Sequence, residues 1–191
     1  GVGIAKKLFV GTDLAVDGVA NLDVTNIVGD LTATSDTITF QSANSNDPNI
    51  IIKNTTNDAN APIMDFITDK GAAGADNDSL GLIRFTGDND AQEQITFARV
   101  LATVADASDG AEGGRIQLQV ASHDGGMETG LLLVDGNADG EIDVTIGSGT
   151  SSATTVAGTL TSTGAITGTT INLTDGVTDA GSAGSATTFN N

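Results

Sequence analysis

Hydrophobic positions along this chain recur at spacing two, in short bursts. Ile116, Leu118 and Val120 alternate with Arg115, Gln117 and Gln119, and Ile142, Val144 and Ile146 alternate with Glu141, Asp143 and Thr145. A side-chain period of two, with one apolar and one polar set, predicts half-buried strands. Residues 50–52, 63–67, 80–85 and 131–134 are further expected strands, bounded by Asn, Asp and Gly clusters that favour turns. Residues 91–105 admit two readings. Ile95, Ala98, Leu101 (or Ala102) and Ala105 fall on one helical face, with Asp90 as a cap. As a strand, Ile95 and Phe97 are out of phase with Val100, Ala102 and Val104, and a bulge must switch the phase. The strand is preferred. Six or seven strands between residues 47 and 147 then predict one central β domain, a β-sandwich or prism-like.

The flanks have a sparser pattern. Residues 1–46 read as an arm of very short strands: Leu8-Phe9-Val10, Leu14-Ala15-Val16, Leu22-Asp23-Val24 and residues 28–31 each carry two apolar positions before a Gly or Asx turn. Residues 148–191 repeat this texture in diluted form at residues 156–160, 164–168 and 171–173. The Thr-, Gly- and Ser-rich residues 148–155 and 181–188 are expected to be flexible. A strand with two apolar side chains gains roughly 3–6 kcal/mol from burial. Ordering its backbone costs about 1–2 kcal/mol per residue. The two nearly cancel. Unless both arms are disordered tails, they need partners, and identical chains around an axis supply them most simply.

Composition narrows the classes. Leu, Ile, Val and Phe make up 47 of the 191 residues, about a quarter, which is low for a self-sufficient globule. Seven Lys and Arg face 25 Asp and Glu, a formal charge of −18. Such a polyanion repels phosphate backbones and anionic lipid surfaces, so neither nucleic acid nor membrane is an expected partner. No apolar run approaches the ~18 residues that a spanning helix needs. There is no Cys, which removes disulfides and thiolate metal sites, and one His, His123. The start at Gly1 suggests a processed chain or part of a longer one.

Three stretches then carry a resemblance. Leu80-Gly81-Leu82-Ile83-Arg84-Phe85-Thr86-Gly87-Asp88-Asn89, Gly113-Gly114-Arg115-Ile116-Gln117-Leu118 and Leu131-Leu132-Leu133-Val134-Asp135-Gly136-Asn137 occur in that order. This order resembles a β domain common in tail fibres of tailed bacteriophages, often found ahead of a self-cleaving intramolecular chaperone domain. Gly3-Ile4-Ala5-Lys6-Lys7-Leu8-Phe9-Val10-Gly11 is similar to fibre segments upstream of such domains. The resemblance implies an all-β, elongated, homotrimeric fibre in the virion, outside the cell. It would bear other fibre or tail subunits, and a receptor-binding tip elsewhere in the parent chain. No chaperone domain is visible in the sequence.

Candidate chemistry is thin. Asp135, Asn137, Asp139, Glu141 and Asp143 match the front of a calcium loop, with oxygens at positions 1, 3 and 5, Gly140 at 6 and an acid at 9. Position 12, where a bidentate Glu belongs, is Ile146. The same residues make an ordinary Asp/Asn/Gly hairpin turn. If calcium binds there, the alternative role is a secreted calcium-dependent adhesin or surface-layer fragment. Ser122-His123-Asp124 holds the residue types of a hydrolytic triad, but adjacent side chains cannot converge on one atom. With no Trp or Tyr, the flat apolar platform on which sugars stack is missing. No catalytic residue is assigned, and the chain reads as shaft or spacer. Arg84, Arg99 and Arg115 are expected to pair with carboxylates, within or between chains.

Overall fold

The computed structural model describes residues 25–165, together with Val16, Asp17, Ala20 and Thr167. The regular structure among them is all β: β1 (Ser79–Asp88), β2 (Gln94–Asp106), β3 (Gly113–Ala121), β4 (Met127–Asp135) and β5 (Ile142–Ile146). The strands form one antiparallel sheet in the order β1-β2-β3-β4-β5. Each strand pairs with its successor in sequence, so short connections suffice and no crossover is needed.

The alternating stretches become β3 and β5 as expected, and residues 91–105 fall in a strand. The phase switch in β2 is a bulge. Phe85 pairs with Ala98 while Thr86 pairs with Thr96, leaving Phe97 as the extra residue. Ile95 and Phe97 thereby reach the same face as Ala98, Val100 and Ala102, and a Cβ added to Gly87 would touch the Phe97 ring at 3.5 Å. A second bulge lies in β4, where Leu118 pairs with Leu131 and Gln119 with Thr129. Gly130 is the extra residue there, and its carbonyl accepts the Gly147 N–H at 2.8 Å. Without this bulge Thr129 would share the face of Leu131 instead of lying beside Gln119.

Five strands stand where six or seven were expected. Residues 50–52 and 63–67 are not strands, nor are residues 28–31 or 156–160. An extended segment becomes a strand only with a ladder partner, and none of these finds one within its own chain. Thr68 Oγ1 instead donates to the Ser79 and Leu80 carbonyls at 3.2 and 3.3 Å, and Phe66 lies over Gly81. The expected strands before residue 25 and at 171–173, like the flexible stretch 181–188, lie outside the described residues.

The chain divides into two compact units, Gly1–Ile63 and Met64–Asn191. In the first, every described side chain from residue 25 onward is exposed except half-buried Ser42. The second holds the whole sheet.

Deleting Phe97 should close the β2 bulge, keep Ile95 on the apolar face and Thr96 on the other, and remove the ring that lies beside Gly87. We expect a loss of about 1–3 kcal/mol in chemical denaturation at fixed protein concentration, with Phe97→Leu costing less.

Candidate functional site

Register assigns each strand residue to one of two faces. Ile83 and Phe85 of β1 lie in rows with Val100 and Ala98 of β2, Leu118 and Val120 of β3, Leu131 of β4 and Ile146 of β5. Ile116, Leu133 and Val144 form the next row of the same face. Charge enters only at its margins, with Glu128 and Asp135 at the two ends of β4. Among the described residues, Phe66 lies over this face at Gly81, and its centre is left open. Among the described residues no hydrophobic side chain is buried, and central Leu118 is 44% exposed, Phe85 56% and Val144 55%. Hollows of about 370 and 440 Å³ open on it, the first beside Phe66 and Ile83, the second beside Ile116 and Leu133.

The opposite face is mixed and better covered: Leu82, Leu101 and Leu132 share one of its rows with Gln117, and Val134 lies beside Arg115. Its central row runs Arg84, Arg99, Gln119, Thr129 across four strands. Arg99 Nε donates to Gln119 Oε1. Gln119 and Gln117 donate their Nε2 hydrogens to Thr129 Oγ1 at 2.9 and 3.0 Å. Gln119 and Thr103 are each only 7% exposed, and the Thr103 hydroxyl has no partner. Among the described residues no arginine pairs with a carboxylate, and two of them meet amides instead. Arg99 meets Gln119, and Arg115 Nη1 donates to Asn77 Oδ1 at 3.2 Å. The register sets Arg84 and Arg99 opposite each other, so no acidic residue is their cross-strand neighbour. The ion pair among the described residues is Lys70–Asp78, at 2.7 Å.

Several acidic side chains in and beside the loops accept local hydrogen bonds. Asp124 Oδ1 accepts the Ser122 hydroxyl at 2.5 Å and the Gly126 N–H at 3.1 Å, which holds its carboxyl below the usual range. Ser122, His123 and Asp124 thus form a hairpin turn, with His123 exposed. Hydrogen bonds from Ser108 likewise lower Asp106.

The β4–β5 connection is also a turn. Gly136 N–H donates to the Glu141 carbonyl at 3.1 Å, the Glu141 carboxylate accepts the Asn137 N–H at 2.7 Å, and Gly140 takes a φ of +78°. Asp135 pairs with Ile142 and Asp143 with Val134, so Asp135 and Asp143 begin on opposite faces. Asp139 and Glu141 share a polar hollow of about 540 Å³ with Asp106, Glu112 and Asp135. Among the described residues, no group of three or more acidic or His side chains is placed to hold one metal ion. No helix among them is long and apolar enough to cross a membrane. Compared with models of known protein families, with curated proteins and with solved structures, the chain shows no match.

The chemistry this arrangement supports is association: one apolar face left open among the described residues, one mixed face, and acidic loops at both ends. The apolar face was foreshadowed by the spacing-two pattern. The arginine row was not, because its members are far apart in sequence.

Asp78 supplies a pH test. Hydrogen bonds from Lys70 and from the Ala75 N–H hold its carboxyl below the usual range. A carboxylate lowered on folding contributes stability that is complete above its unfolded value and is lost as pH falls through its folded value. Asp78→Asn should therefore lower the Tm at pH 7 and flatten the loss of Tm between about pH 5 and pH 2, as followed by circular dichroism.

Proposed function

We propose that this chain is a structural segment of a viral fibre, a shaft or spacer in the tail fibre of a tailed bacteriophage or a related virion fibre. Three parallel copies share an axis and bury their apolar sheet faces against one another. The observation that carries this reading is the face built on Leu118, Ile116, Val120 and Leu133, fully assembled by the register yet left open by its own chain. A stable domain packs at least two layers around a core, and the described residues supply one. A second copy provides the missing layer without a new sequence, and three or more also shield its margins.

The sequence resemblance to phage fibre β domains supports the specific role, and the acidic loops suit an exposed particle surface. The work done is mechanical, with no catalytic step. The segment holds a receptor-binding tip, borne elsewhere in the parent chain, away from the particle, and its neighbours are other fibre or tail subunits.

Light scattering should give a mass near three times 19.0 kDa, about 57 kDa, and a monomer would overturn the reading. Leu118→Glu places a charge at the centre of the apolar face and should reduce the mass to that of a monomer, with an apparent affinity loss of at least about 100-fold. Gln117→Glu, one residue away on the other face, should leave the mass unchanged.

A further inference from the structure

Four Asp-Gly pairs fall among the described residues: Asp109-Gly110, Asp124-Gly125, Asp135-Gly136 and Asp139-Gly140. All carry the same latent chemistry. The glycine nitrogen can attack the aspartate Cγ, since the glycine has no side chain to hinder the approach. In three of the pairs that nitrogen is engaged. Gly110 N–H donates to Glu112 Oε1 at 3.2 Å, Gly125 N–H to the Ser122 carbonyl at 2.9 Å and Gly136 N–H to the Glu141 carbonyl at 3.1 Å. Two of the carboxylates are engaged as well. That of Asp124 accepts the Ser122 hydroxyl and the Gly126 N–H, and that of Asp135 packs against Gly113. Asp139-Gly140 has neither restraint. Both residues are exposed, and neither the Asp139 carboxylate nor the Gly140 N–H makes a hydrogen bond among the described residues.

We propose that Asp139 is a modification site, the aspartate of the folded sheet that isomerises to isoaspartate. The Gly140 nitrogen bonds to Asp139 Cγ, the N–H proton and the carboxyl hydroxyl leave as water, and a five-membered succinimide closes. Water then opens the ring. Attack at Cγ restores aspartate, and attack at the Asp139 backbone carbonyl leaves the chain running through Cβ and Cγ. One water leaves and one returns, so the mass is unchanged and no co-reactant is needed. The product lengthens the backbone by one carbon inside the β4–β5 hairpin. There the Gly136–Glu141 bond, and the Asn137 N–H held by the Glu141 carboxylate, close the turn that starts the Asp135–Ile142 pairing. β5 is an edge strand of five residues, all exposed, so the change falls where the sheet is easiest to loosen. This chemistry needs no second copy.

The test uses the full chain, held at mildly acidic pH below its melting temperature and sampled over time. Cleavage after Glu93, Glu112, Glu128 and Glu141 puts Asp109 and Asp124 on separate peptides, and Asp135 with Asp139 on a third. Electron-transfer fragmentation then locates isoaspartate, which mass alone does not reveal. Isoaspartate should accumulate at Asp139 about tenfold faster than at the other three, roughly 1.4 kcal/mol of barrier, as expected where no hydrogen bond must first be broken. In concentrated urea, where the turns are lost, the four rates should converge. Glu112→Ala frees the Gly110 N–H and should raise the Asp109 rate toward that of Asp139. A folded chain in which Asp139 reacts no faster than Asp109, Asp124 and Asp135 overturns the assignment. So does a Glu112→Ala variant in which Asp109 stays as slow as before, because the hydrogen bond would then not be what protects it.

Discussion

A single twisted sheet has two faces, and water can solvate only one of them cheaply. In this protein the face presenting Ile83, Phe85, Leu118, Val120 and Ile146 is built with care and then left without a second layer. Every other feature can be referred to that constraint. The bulges keep apolar residues on this face, and the loops collect the carboxylates at its ends. Each strand gains its hydrogen bonds locally from the meander, while the core that normally holds a sheet together is missing from the chain. Among the described residues the backbone order is thus satisfied within one polypeptide, while the hydrophobic order is not.

The bulges show how tightly the apolar face is defined. A regular strand over Gln94–Asp106 would send Ile95 to one side and Val100 to the other. The extra residue at Phe97 reconciles them, and Gly130 performs the same correction in β4 while freeing Thr129 to anchor Gln119. In β2 the departure from regularity adds Ile95 and Phe97 to the apolar surface, and in β4 it moves Thr129 off that surface and brings Glu128 to its margin. A surface meant to meet only water gains nothing from such corrections.

The architecture was legible where the period of two runs unbroken, as in β3 and β5, because alternation alone fixes both the element and its buried side. It was legible in β2 as a conflict of phase, which has few physical resolutions. It failed at residues 50–52 and 63–67. An apolar triplet between turn residues states a preference for extension, but a strand also needs a partner edge, and local sequence does not say where one lies. The arginines failed for a related reason. Arg84 and Arg99 become neighbours through a register that depends on the Phe97 bulge, and spacing along the chain gives no hint of it. Asp135 and Asp143 illustrate the same point: a ligand-like spacing says nothing about which face each residue begins on.

Charge decides which surface a second copy can use. Two copies, each at −18, repel wherever acidic loops meet, and screening confines that repulsion to about 8 Å at physiological salt without abolishing it at contact. The apolar face is free of this cost over its centre, since Glu128 and Asp135 lie only at its ends. Any self-association would therefore be steered to that face by exclusion from the loops as much as by attraction.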